Sequence, residues 1–190
     1  METELPQAPP VVAVVVVHDP GDWFEVTLDA LAAQDYPNLR FLFLVAEPGA
    51  EARRQLAEQL DAPSDEAVRL AYEASMETRI KVRVPSSFVR PLPGRPGFGP
   101  AVNEVLRLVE GDNGFFLICQ DDIAPDPDAV RMLVEEMYRS NAGIVGPKLV
   151  DWDRPSVLQS VGLGLDRFGE IEQPIEPGEV DQEQHDGVRD

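Results

Sequence analysis

The chain has 190 residues, enough for one sizeable hydrophobic core and, by length, one domain. Sixteen lysines and arginines stand against 35 aspartates and glutamates, a net charge of -19, which argues strongly against nucleic acid or an anionic membrane surface as partner. An acidic protein that binds an anionic small molecule needs local help, from a metal ion or a basic pocket.

Val11 to Val17 is an unbroken run of seven apolar, mostly β-branched residues, the pattern of a strand covered on both faces as in parallel sheets. It is too short to cross a bilayer and lacks the basic flank of a signal peptide, so the chain reads as cytoplasmic. The run ends at His18-Asp19-Pro20-Gly21. Phe24, Thr27, Leu28 and Leu31 then recur at helical spacing after Asp22, with Glu25 three residues on as in a capping box. Asp35-Tyr36-Pro37-Asn38 stops that helix, and Leu39 to Ala46 gives a second apolar strand. The polar, Ala-rich stretch from Ala50 to Glu77, interrupted by Pro63-Ser64, predicts one or two surface helices. Ile80 to Val84 alternates as a short strand. Gly99-Pro100 opens a helix with Val102, Val105, Leu106 and Val109 on one face.

Phe115 to Cys119 is a third buried strand, followed at once by Gln120-Asp121-Asp122-Ile123. Cys119 is the only cysteine, so no internal disulfide forms, and with no nearby base or cation it reads as a small buried residue rather than a nucleophile. In an open α/β sheet ligands bind beyond the carboxyl ends of the strands, where an Asp pair can hold a divalent ion and through it a phosphate. Ordinary turn and capping acids are the competing reading, because strand-to-helix turns favour Asp. A helix follows directly, with Asp126 as N-cap, Pro127 at its first position and an apolar stripe of Val130, Leu133, Val134 and Met137. Gly143 to Gly146 is a further short strand. Strands and helices in this alternation imply an α/β fold, a doubly wound, mainly parallel sheet with right-handed crossovers.

Two charge contrasts remain. Between Thr78 and Asn103 there is no acid, while Arg79, Lys81, Arg83, Arg90 and Arg95 gather there. This island runs through a Gly-Pro-rich loop into a helix start, which suits phosphate; a solvated basic loop is the alternative, and the glycine spacing matches neither standard phosphate fingerprint. From Asp166 to Asp190 nine acids meet two basic residues, so this segment buries little core by itself.

Val14 to Asp19, Leu28 to Pro37, Gly97 to Asn103, Asp121-Asp122-Ile123 with Pro125 to Ala129, and Gly143 to Lys148, in this order, resemble family 2 glycosyltransferases of the GT-A fold, with a rhamnosyltransferase-like subgroup left open. The resemblance runs from about Val11 to Gly169. It implies a Rossmann-like sheet with helices on both faces, residues 1–10 as an extension, 11–169 as a nucleotide-sugar-binding domain, and 170–190 as an acidic tail cut before the acceptor-binding part. It implies His18 and Asp19 lining the base and ribose, Asn103 beside the nucleotide, Asp121 on the ribose, and Asp122 on a Mg2+ or Mn2+ ion bridging the diphosphate. The acid usual at the end of the second strand is absent or displaced to Glu47, which leaves the base unidentified.

The implied activity is inverting transfer of a sugar, hexosyl or deoxyhexosyl, from a nucleotide-diphosphate donor to a hydroxyl of a glycan or lipid-linked acceptor. Polysaccharide or cell-envelope glycan synthesis is the implied setting, with membrane association of a longer protein left open. The general base that takes the acceptor proton falls beyond this chain in the family, and Asp181, Glu183 and Asp186 receive no role. A nucleotidyltransferase and a non-catalytic binding or scaffolding module are the alternatives. The first favours a glycine-rich basic loop where His18-Asp19-Pro20 stands; the second is favoured by the missing base and by Ala46.

Overall fold

The computed structural model of the chain describes residues 8–109, 114–162, 164–172 and 174–185. Contacts divide it into two units, Met1–Asp128 and Ala129–Asp190. Asp186, among the late acids noted above, lies outside the described residues.

The first unit is built on four parallel strands, β1 (Val11–Val17), β2 (Leu39–Val45), β3 (Phe88–Pro91) and β4 (Phe115–Gln120), in the order β3-β2-β1-β4. The central strand β1 is almost wholly buried because both its faces are covered. Ala13, Val15 and Val17 pack with Phe41, Phe43 and Val45 against helix α1 (Phe24–Ala32) and helix α3 (Asp65–Arg83). Val14 and Val16 pack with Leu42 and Leu44 on the other side, against Ala101 and Val105 of the short helices α4 (Phe98–Val102) and α5 (Val105–Leu108). The doubly wound, mainly parallel α/β architecture expected from the alternating apolar runs is therefore met.

Several local expectations are corrected. The strand at Phe115–Gln120 is not buried on both faces: it lies at the sheet edge, where Phe116 and Ile118 are 46% and 49% exposed. Residues 80–84 are not a strand. Helix α3 is capped by Ser64, whose hydroxyl accepts the Ala67 amide at 3.2 Å, and runs from Asp65 to Arg83. Ile80, Val82 and Val84 fit a period of two, yet Met76, Ile80 and Val84 also fit the i, i+4 rows of a helix. The helical face wins because Val68, Tyr72, Met76 and Ile80 are buried by it, each fully buried side chain contributing about 1.5–3 kcal/mol. Val82 is left 70% exposed, and the edge strand forms instead at Phe88–Pro91. Acids in the first turn and Lys81 and Arg83 in the last suit the helix dipole over this longer span. Helix α2 (Ala50–Leu60) is the exposed helix that the Ala-rich stretch predicted.

The capping box at Asp22 and Glu25 is not made. Trp23 occupies the N-cap of α1, and Glu25 instead receives the Arg79 guanidinium at 2.9 and 3.0 Å. Arg83 pairs with Asp29 at 2.9 Å, so two cations of α3 fasten it to α1. The single helix expected from Gly99 is interrupted at Asn103-Glu104, leaving Leu106 72% exposed.

In the second unit, helix α6 (Ala129–Ser140) begins two residues later than the Pro127 start expected, and buries Val130 and Val134. Gly143 to Gly146 forms no strand; the pairing lies at β5 (Leu149–Val150) with β6 (Leu158–Ser160), antiparallel. A second antiparallel pair joins β7 (Gly164–Leu165) to β8 (Ile171–Glu172). Val157 bridges Val180, and Lys148 pairs with Asp181 at 2.7 Å. No helix among the described residues is long and apolar enough to cross a membrane.

Candidate functional site

Because the four strands run parallel, their carboxyl ends lie along one edge, and the loops after them carry most of the residues singled out above. Val16 of β1 pairs in register with Gln120 of β4, and Val17 with Val45 of β2. The next residues on each strand, His18, Ala46 and Asp121, therefore meet at the edge. The His18 amide donates to the Asp121 carboxylate at 2.8 Å, and the Ala46 amide donates to the Val17 carbonyl at 3.0 Å.

The two acids of the pair have different surroundings. Asp121 is 8% exposed, and its backbone carbonyl accepts the hydroxyl of Thr27, a fully buried residue of α1, at 3.0 Å. Burial pushes the Asp121 carboxyl above its ordinary range, the charge of Asp122 adds to this, and the His18 amide opposes it. Asp122 is exposed and makes no hydrogen bond or ion pair among the described residues. One carboxylate is thus an anchor of the strand ends, and its neighbour is free to receive a ligand. Ahead of the pair, Cys119 is buried with its thiol pushed up to about 12, chiefly by burial, which agrees with an inert structural role.

On the other side of β1, the Asp19 carboxylate accepts the Gly49 amide at 2.9 and 3.0 Å and pairs with Arg95 at 2.8 Å. Arg95 Nη1 also donates to the Glu47 carbonyl at 2.6 Å, and the Glu47 amide donates to the Gly94 carbonyl at 2.9 Å. The Glu47 side chain lies 3.6 Å from Arg53. The His18 ring nitrogen Nε2 donates to the Pro96 carbonyl at 2.9 Å. These contacts form two polar groups, His18 with Asp121 and Pro96, and Asp19 with Gly49, Arg95 and Glu47, joined through the chain at His18-Asp19 and Arg95-Pro96. Asn103, the exposed C-cap of α4, shares no hydrogen bond with either.

Thr27, Gly49, Tyr72 and Arg95 also belong here, although sequence reasoning gave them no place at the site. Thr27 sits inside the apolar stripe of α1 and reads there as core. Arg95 carried a signal, since it falls in the acid-free stretch. Of the other cations in that stretch, Arg79 and Arg83 are spent on α1, and Lys81 donates to the Ser87 carbonyl. Within that stretch Arg90 is exposed and has no ion pair among the described residues.

No group of three or more His, Cys, Asp or Glu side chains is placed to hold a metal ion among the described residues. Mg2+ and ions like it are bound through one or two carboxylates together with substrate phosphates rather than in a protein cage. The exposed, unpaired Asp122 fits that requirement.

The fold and the polar groups at its strand ends define an α/β protein with a polar carboxyl-end edge, and the sequence matches Glycosyl transferase family 2 over residues 12–175. The chain belongs to that family and is a glycosyltransferase domain. Two solved structures resemble it: that of S. aureus TarS 1-349, at 12% identity and a TM-score of 0.48, and that of S. aureus TarS, at 12% and 0.46. Each covers 80% of this chain, which spans 42% of the first structure's chain and 25% of the second's. No curated protein sequence matches it.

Proposed function

We propose that the edge formed by His18, Asp19, Glu47, Asp121 and Asp122, together with Asn103 at the end of α4, binds a nucleotide-diphosphate sugar for inverting transfer to the hydroxyl of a glycan or lipid-linked acceptor. The observation that carries this reading is the division between Asp121 and Asp122, one carboxylate committed to the strand ends and its neighbour exposed and unpaired. Asp122 would hold Mg2+ or Mn2+. When bound, such an ion offsets the charge of the departing diphosphate.

The residues around it do the rest. Asp121 receives the His18 amide, so the base-facing and metal-facing ends of the site are held at one spacing. His18 offers its ring to the nucleobase while Pro96 fixes the ring's orientation. Within this reading, residues 11–169 form the donor-binding domain and residues 170–190 an acidic tail. No residue of this chain is assigned as the base that takes the acceptor proton. Polysaccharide or cell-envelope glycan synthesis in the cytoplasm, with a hexosyl or deoxyhexosyl donor, is the setting we infer.

Thermal unfolding with a nucleoside diphosphate tests the proposal, since a ligand that binds only the folded state raises its stability. The stabilisation is expected to be much larger with Mn2+ than with a chelator. Asp122→Asn is expected to abolish the difference while leaving the ligand-free melting temperature near that of the parent. An unaltered metal-dependent shift in Asp122→Asn removes this residue from the site.

A further inference from the structure

Three strand-end loops are tied together by a single ion pair. Asp19 follows β1, Glu47 and Gly49 follow β2, and Arg95 follows β3. Asp19 has φ +49°, in the left-handed region that side chains other than Gly, Asn and Asp rarely adopt. In this conformation its carboxylate takes the Gly49 amide and the Arg95 guanidinium together, and the same Arg95 nitrogen reaches the Glu47 carbonyl. A Cβ at Gly49 would stand 2.3 Å from Asp19 Oδ2 and 3.4 Å from Arg95 Nη1, so any side chain there must displace this ion pair.

Tyr72 of α3 lies against the same point. It is 5% exposed, and its buried hydroxyl lies near the Asp19 backbone without a well-formed hydrogen bond among the described residues. The phenol is pushed up to about 12, by burial first and then by the charge of Asp19. A left-handed acid and a glycine whose Cβ would meet its carboxylate thus coincide at Asp19, and the buried Tyr72 phenol feels the same charge. Such features persist where the surroundings over-determine them, and they concentrate at functional sites.

We propose that Asp19 and Arg95 are positioning residues for the nucleobase, their ion pair closing over Gly49 to set the spacing of His18 and Glu47 and so which base is accepted. The proposal rests on the nucleotide-sugar reading above and refines it, because both Asp19 oxygens are already engaged and its side chain acts through the loops rather than on the ligand. An isolated surface pair would do little. This one is anchored on two backbone groups, the Gly49 amide and the Glu47 carbonyl, so its loss frees the loop after β2.

The test is a double-mutant cycle on the full chain, with Asp19→Asn, Arg95→Gln and the two combined. Calorimetric titration with UDP, GDP and dTDP in Mn2+ gives base preference, and inorganic pyrophosphate in Mn2+ reports the phosphate end alone. Each single variant is expected to weaken the preferred nucleotide about tenfold and to narrow the preference, and the double variant is expected to bind no worse than the weaker single, because the two residues act as one unit. Pyrophosphate binding is expected to stay unchanged.

Arg95→Lys keeps the charge but not the fork that spans carboxylate and carbonyl. It is expected to melt with the parent and yet lose preference as Arg95→Gln does, and it carries the test alone should Asp19→Asn not fold. Additive losses in the cycle, or an Arg95→Lys variant with the parent's preference, overturn the proposal and leave the nucleotide site standing. A parent that binds none of the three diphosphates and no pyrophosphate overturns the nucleotide reading and the proposal with it.

Discussion

Thr27→Val changes one atom's chemistry in the middle of the first unit. Thr27 is fully buried, and its hydroxyl donates to the Asp121 carbonyl at 3.0 Å across 94 positions of sequence. Valine fills the same space, so no cavity opens. What is lost is one hydrogen bond whose acceptor stays in a residue only 8% exposed, a change worth about 1–2 kcal/mol. At roughly 2–4 °C per kcal/mol for a chain of this size, the melting temperature should fall by about 2–8 °C. Circular dichroism without ligand reads that shift. The same bond fixes the turn that presents Asp122, so the extra stabilisation by a nucleoside diphosphate with Mn2+ should shrink in Thr27→Val and survive in Thr27→Ser, which keeps the hydroxyl. A Thr27→Val protein that melts with the parent and keeps the full Mn2+ response would refute the argument that the α1 hydroxyl holds the acid turn.

Ile80→Ala should destabilise by about 2–5 kcal/mol in chemical unfolding, because the side chain is fully buried under α3. Val82→Ala should stay within about 0.5 kcal/mol, as an exposed helix position does, whereas comparable losses at both would restore the alternating strand. Glu25→Gln removes the partner of Arg79, a partly exposed pair whose worth is about 1 kcal/mol or less. Arg79 holds the Glu25 carboxyl below its ordinary value of 4.5, so the folded state binds this proton less readily than the unfolded chain. Its contribution is present above that value and disappears as the pH falls through the lowered folded value. The stability gap between parent and Glu25→Gln should therefore close in acid, and a gap that widens there would contradict the pairing.

Val11 to Val17 and Leu39 to Val45 could be read as strands from residue order alone, because a strand buried on both faces needs an unbroken apolar run; Phe115 to Cys119 was legible as a strand by the same pattern, but its edge position, with Phe116 and Ile118 46% and 49% exposed, was not. The placement of Asp121 and Asp122 at a strand end followed from the same pattern. The end of α3 did not, since Ile80, Val82 and Val84 satisfy two periods at once, and the choice was made by the core face that Tyr72 and Met76 share with Ile80. Residue order is equally silent on which acid of the pair is free. Two adjacent aspartates are chemically identical until folding brings the His18 amide, 103 positions away, onto one of them. Arg95 makes the same point: five cations crowd one stretch of sequence, and only the convergence of three strand ends sets this one on Asp19 and the Glu47 carbonyl. Local pattern determines strands and helices because its physics is local, while ionic partners are decided by parallel strands that carry distant loops to one edge.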